Sequence, residues 1–188
     1  MRFDDENMKW KVLSEEELFR RPWLTVRRDK VELPDGRIHP EYYVLHYPTW
    51  VNVIAETDDG KLVLERQYRH GLGIMSTEIC AGVVEKGEEP LAAARRELQE
   101  ETGFGYGEWT LLMKTAPNPG AMDNLCYSYL ARGVKRISGQ HLDRIEDIRV
   151  YFFKKEEVLH MLRTGELLQA MMVAPLWKFF CLYTNLIR

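Results

Sequence analysis

The sequence predicts an α/β fold, with helices layered on a mixed β-sheet and a small β lobe at the N-terminus. Two observations lead there. Strand-like runs punctuated by Pro, Gly and Asp fill the first third of the chain, and from Thr77 onward helical periodicities are interleaved with further strand patterns. With 188 residues, 45% of them hydrophobic and 29% charged, the chain can bury a proper core, and its composition is that of an ordinary globular protein.

The elements follow in order. Residues 24–33 carry β-branched and apolar side chains at intervals, Pro34-Asp35-Gly36 forms a turn, and residues 42–47 are apolar again, so a hairpin is predicted. Pro48 interrupts the pattern and marks a candidate boundary between an N-terminal β lobe, residues 1–47, and a main domain, residues 48–188. Strands are expected at residues 51–55 and 62–69, on either side of the Asp58-Asp59-Gly60 turn, and again at 79–84. A helix is expected over residues 90–102, because Pro90 suits a first helical position and Gly103 the left-handed residue just past the end. Strands near 109–114, 125–131 and 148–153 precede a helix near 156–163. In residues 171–187, Leu176, Phe179, Phe180, Tyr183 and Ile187 fall at helical spacing, with Pro175 placed in the first turn of a C-terminal helix.

Composition narrows the function classes. The formal net charge is −3, and the densest basic runs, Arg20-Arg21 and Arg27-Arg28, are flanked by acids, so nucleic-acid binding has no basic stripe to rest on. The apolar segment 171–187 is short and broken by Pro175 and Lys178, and no membrane role is expected of it. The acidic opening, residues 1–6, lacks the apolar stretch of a secretory signal. Cys80, Cys126 and Cys181 are odd in number and widely spaced, which argues against a zinc site or a disulfide framework and fits a cytoplasmic location. His39, His46, His70, His141 and His160 are equally scattered.

The chemistry concentrates between residues 82 and 104. On a helix turning ~100° per residue, Glu97, Glu100 and Glu101 share one side, while Leu91, Ala94 and Leu98 form an apolar stripe for the sheet. Two readings of that acidic face stand at this level. A solvated carboxylate face costs only a few tenths of a kcal/mol per like-charged pair. An oxygen-rich cluster also binds hard divalent cations such as Mg²⁺ or Mn²⁺.

The order and spacing of Gly82, Glu88, Arg96, Glu97, Leu98, Glu100, Glu101 and Gly103, with Phe104 at the last apolar place, resemble the Nudix box, G-x5-E-x7-R-E-U-x-E-E-x-G-U. The resemblance implies the Nudix fold, a mixed sheet sandwiched between helices, with the box as loop–helix–loop. It implies Glu97, Glu100 and Glu101 as metal ligands, joined by the carbonyl of Ala81, and Gly82, Glu88, Arg96 and Gly103 as structural residues. The reaction it implies is metal-assisted attack of water on a diphosphate, with a carboxylate taking the proton.

Outside the box the chain resembles the ADP-ribose pyrophosphatase branch of that family. The strands before residue 48 look like that branch's dimerising lobe, implying a homodimer. The run Leu64-Glu65-Arg66-Gln67-Tyr68-Arg69 is similar to its substrate-contacting strand. Glu78, the Asn118-Pro119-Gly120 turn and Trp23 also match substrate-contacting positions. Glu146, in Glu146-Asp147-Ile148-Arg149, matches a late acidic loop that supplies another metal ligand. Arg69 admits two roles, a phosphate contact or a strand-edge ion pair. Trp23 and Trp50 likewise admit base stacking or plain packing. The chain departs from the branch at Asp123-Asn124, where a glutamate often follows the Pro-Gly turn, and at Arg144, where some members place a catalytic glutamate. The general base is therefore open among Glu146, Asp143 and the box glutamates, with Glu100, Glu101 and Glu146 as the catalytic candidates. The expected substrate is a nucleoside-diphosphate sugar, ADP-ribose first, cleaved to AMP and ribose 5-phosphate. GDP-mannose or a dinucleotide is an enzymatic alternative, and a catalytically silent nucleotide-sensing module is the alternative from another class.

Overall fold

A computed structural model describes residues 6–187; the acidic opening, residues 1–5, lies outside the described residues. The chain divides into two compact units, Met1–Tyr47 with Ala116–Asn124, and Pro48–Thr115 with Leu125–Arg188.

The first unit is a three-stranded antiparallel sheet of β1 (Lys11–Arg21), β2 (Leu24–Glu32) and β3 (Ile38–His46), in that order. The hairpin expected at residues 24–47 is β2–β3, closed by Leu33 N–H donating to the Arg37 carbonyl at 2.8 Å. β1 has no counterpart in the sequence reading. Every residue of this strand is exposed, so it carries no alternation of buried and solvent positions, and it is held by its ladder to β2. The segment 116–124 is pinned to β3 by Leu45 N–H on the Ala121 carbonyl at 2.7 Å and by the Tyr42 hydroxyl on the Gly120 carbonyl at 2.6 Å.

The second unit is built on a mixed sheet. Its main path runs β11 (Arg149–Phe153), β5 (Leu62–Arg69), β4 (Trp50–Thr57), β10 (Cys126–Arg136), β8 (Phe104–Gly105). β6 (Ile74–Glu78) pairs with β5, β7 (Cys80–Val83) with β4, and β9 (Glu108–Thr115) with β10. β4 and β10 are parallel and the other pairs antiparallel. α1 (Pro90–Thr102) covers one face, where Val51, Val53, Ala55 and Val63 pack on Ala93, Ala94 and Leu98. α2 (Lys155–Thr164) and α3 (Ala170–Tyr183) cover the other, where Ile54, Leu62, Leu64 and Leu130 meet Val158, Leu162, Leu176, Phe179 and Phe180. Side chains alternate across a strand, so β4 and β5 feed both cores at once.

The C-terminal helix corrects one detail of the sequence reading. Pro175 sits inside α3 rather than in its first turn. A proline there cannot donate to the carbonyl four residues back, that of Met171. The buried Asn52 of β4 supplies the missing donor, its Nδ2 lying 2.8 Å from the Met171 oxygen. Among the described residues no helix is long and apolar enough to cross a membrane.

Candidate active site

α1 begins at Pro90 and ends at Gly103, whose φ of 76° lets its N–H cap the Gln99 carbonyl at 2.8 Å. A side chain on Gly103 would also meet the Ser138 carbonyl, 2.5 Å from an ideal Cβ. Alternation along residues 78–82 puts Ile79 in the α2–α3 core and turns Glu78, Cys80 and Gly82 toward the α1 face. These three positions organise the site.

β7 pairs with β4 along one edge only, so its other edge offers backbone N–H groups. Glu97 Oε1 accepts from Val83 N at 3.1 Å, and Glu101 Oε2 accepts from Ala81 N at 3.2 Å. The match is geometric. Four residues of helix rise ~6 Å and two residues of strand ~6.8 Å, so carboxylates one turn apart meet alternate strand amides. Gly82 stands between these bonds. An ideal Cβ there would lie 2.0 Å from the Glu97 carboxyl carbon, so glycine at this position leaves room for the Glu97 carboxylate to reach Val83 N.

Arg96 braces the loop before the helix. Its Nε and Nη2 hold Glu88 at 3.0 and 2.9 Å, and Nη2 also donates to the Val83 carbonyl at 3.0 Å. Its Nη1 reaches Glu97 at 2.9 Å and Glu100 at 3.0 Å. The guanidinium holds the Glu88 carboxyl below the usual carboxylate range. Burial pushes Glu97 up, against the pull of Arg96.

Beneath α1 the carboxylates crowd. Glu101 is buried, and desolvation pushes its pKa up to about 7. Glu65 of β5 is fully buried on the same face and is driven well up by burial and by the charge of Glu101. Neither Glu65 oxygen has a hydrogen-bond partner among the described residues. The Cys80 thiol lies against the same pair and is raised by burial and by Glu101. Glu78, opposite Glu65 in the ladder, is buried and takes a bidentate fork from Arg69, at 2.9 and 2.6 Å. Arg69 and Glu78 also line a cleft of about 470 Å³ with Tyr68, His70 and Gln169.

The remaining expected residues are more dispersed. Glu146 is exposed in a tight turn, its Oε2 accepting from Asp143 N at 2.9 Å, with no bond to the α1 carboxylates among the described residues. The loop that carries it is nonetheless tied to α1. His141 N–H donates to the Glu100 carbonyl at 2.8 Å, and the Gln140 amide donates to both the Glu101 and Ile148 carbonyls, at 2.6 and 3.1 Å. Trp23, exposed between β1 and β2, and Gly120 belong to the first unit. Trp50 is half-buried in β4.

The donor set fits a divalent cation. Glu97, Glu100, Glu101 and the Ala81 carbonyl are oxygen donors on one helix and the strand it packs on, beside buried carboxylate oxygens that lack a donor of their own. A family model described as the NUDIX domain matches residues 46–173. The chain belongs to the Nudix family. A second model, the nucleoside diphosphate sugar hydrolase N-terminal domain, matches residues 10–45 of this Nudix hydrolase. It is 35% identical over 154 residues to the methanol dehydrogenase activator of Bacillus methanolicus, covering 81% of this chain and 83% of that one. It is 32% identical over 166 residues to the ADP-ribose pyrophosphatase of Bacillus subtilis (strain 168), covering 88% and 89%. A crystal structure of an ADP compounds hydrolase superposes with a TM-score of 0.80 at 25% identity, over 90% of this chain and 91% of that one. Nudix hydrolases of this kind act on nucleoside diphosphate sugars and generally use divalent metals.

Sequence reasoning missed Glu65 and Cys80. A signal for Glu65 was present: a lone carboxylate directly after Leu62-Val63-Leu64, in phase with Val63, is a charge on a buried face.

Proposed function

We propose that this Nudix hydrolase cleaves the diphosphate of ADP-ribose, giving AMP and ribose 5-phosphate, with Mg²⁺ or Mn²⁺ as cofactor. The observation that carries the reading is the docking of α1 on the free edge of β7, which holds the box carboxylates Glu97 and Glu101 on alternate strand amides, with Glu101 near enough for its charge to act on Arg69 of the Arg69–Glu78 fork. Glu97, Glu100, Glu101 and the Ala81 carbonyl would hold the cation, with Glu146 joining from its loop. A cation bound there neutralises diphosphate charge and acidifies water.

The chain's own groups do the rest. Glu78 fixes the plane of the Arg69 guanidinium, and that side chain, partly exposed at the cleft, would bind a phosphate oxygen. By the resemblance, Trp23 would stack on the base and Gly120 would contact the substrate. Water adds to one phosphorus, the bridging P–O bond breaks, and a carboxylate among Glu100, Glu101 and Glu146 takes the proton. β1 leaves Val12, Leu18 and Phe19 exposed on an edge strand, which supports a homodimer formed through the first unit. Three free cysteines fit a reducing compartment, the cytoplasm.

The test is to incubate the purified protein and Mg²⁺ or Mn²⁺ with ADP-ribose, GDP-mannose and dinucleotides, and to identify the products. AMP from ADP-ribose in clear excess over the other cleavages supports the reading. Preference for GDP-mannose overturns the substrate, and no turnover of any compound overturns catalysis in favour of a sensor. Glu100→Gln, Glu101→Gln and Glu146→Gln, assayed at rising Mn²⁺, separate the base, which metal does not rescue, from ligands that it does. Sedimentation showing a stable monomer overturns the dimer.

A further inference from the structure

We infer that Glu65, Cys80 and Glu101 form a mixed carboxylate–thiolate site for a borderline transition cation of the Zn²⁺ or Co²⁺ class. The residues come from three elements, β5, β7 and α1, and each offers one ligand atom, all within 4.8 Å of one another. Ligand atoms about 2.0–2.3 Å from a tetrahedral ion stand roughly 3.3–3.8 Å apart, so a small contraction closes them on one ion. All three residues are buried, Glu65 and Cys80 each 1% exposed and Glu101 4%.

Glu65 is the independent sign of a ligand. Both its oxygens are buried and have no donor among the described residues, and one of them lies within 4.8 Å of the ligand atoms of Glu101 and Cys80. A carboxylate in that position is strongly disfavoured unless a cation or a proton compensates it. Arg69 reaches Glu65 only through its field, because its fork is committed to Glu78, so in the metal-free protein a proton compensates Glu65 and a bound cation would replace that proton. A sulfur among the donors selects the type of ion. Thiolate suits zinc and cobalt, whereas Mg²⁺ and Ca²⁺ take oxygen ligands. Glu101 would be common to this site and to the box carboxylates, so the ion sits on the sheet side of the helix rather than at its outer edge. The inference does not depend on which diphosphate is hydrolysed.

Co²⁺ titration of the full chain, stripped of metal by chelation, reads the site directly. A thiolate-to-cobalt charge-transfer band in the near ultraviolet is expected, bleached by Zn²⁺ and untouched by Mg²⁺. Cys80→Ser abolishes the band, Cys181→Ser leaves it in place, and Glu65→Gln weakens Co²⁺ binding by about tenfold or more. Circular dichroism of each variant checks folding, and Cys80→Ser, which changes a single atom, stands as the deciding variant where Glu65→Gln fails to fold. A wild-type spectrum with oxygen-only cobalt transitions, or a band that survives Cys80→Ser, overturns the site, whatever the hydrolysis assays show.

Discussion

The side-chain amide of Asn52 stands in for the backbone N–H that Pro175 lacks, donating to the Met171 carbonyl at 2.8 Å. The strand thereby repairs the helix that packs on it. Asn52→Leu removes the donor, leaves a carbonyl unsatisfied inside the fold, and is expected to cost about 1–3 kcal/mol in urea unfolding. Pro175→Ala restores a local donor, so the double variant should be more stable than the sum of the single changes by on the order of 1 kcal/mol. Strict additivity would show that the two positions are independent.

Gly82→Ala tests the approach of α1 to β7. Its Cβ would fall 2.0 Å from the Glu97 carboxyl carbon, so the carboxylate must leave Val83 N and its place beside Glu101. The expected result is a loss of metal affinity of about 10- to 100-fold, with kcat falling alongside. Calorimetric titration with Mn²⁺ checks it, and unchanged affinity would mean the helix slides to make room.

Arg96→Met breaks a fork that reaches Glu88, Glu97, Glu100 and the Val83 carbonyl. Three carboxylates then face one another with no guanidinium between them. Destabilisation of about 3 kcal/mol is expected, at the lower end for a broken buried pair because the side chain is 28% exposed. Arg96→Lys should recover only part of it, since an ammonium is a single point charge without the planar fork. Thermal unfolding of the two variants makes the comparison.

The metal-free protein should be more stable in mild acid than above neutrality. Burial lifts Glu101 from its ordinary 4.5 to about 7, and Glu65 shifts the same way. The folded state therefore holds protons that the unfolded chain releases, and stability falls as pH rises through that window. Tm at about pH 5 should exceed Tm at about pH 8 in the presence of chelator, and Glu101→Gln should flatten the difference. Mn²⁺, which favours the ionised carboxylates, should raise Tm most at the higher pH. A flat metal-free profile would refute this.

Much of the second unit was legible in the sequence because its signals are local. Pro90 and Gly103 bound α1 as expected, and the spacing of Glu97 and Glu101 foretold a shared face. What was not legible depends on partners far along the chain. β1 is a strand only because β2 lies beside it, for its own pattern of Lys, Ser and Glu says nothing of burial. Whether the acidic face of α1 met water or protein was decided by the free edge of β7. Pro175 lies inside α3 because Asn52, more than a hundred residues earlier, takes up the Met171 carbonyl.

The Gln140 amide, holding the Glu101 and Ile148 carbonyls together, staples shut the base of the loop that carries Glu146. Just beyond that staple His141 N–H adds a second tie, to the Glu100 carbonyl, and past it the tip stands in solvent, with Ile145 at 88% exposure. Ile145 can be exchanged without re-registering the helix, whereas a change in loop length would displace its neighbour Glu146. The two ties thus confine tolerance to the exposed side chain at the tip, and that position, rather than the span of the loop, is the natural engineering route into it.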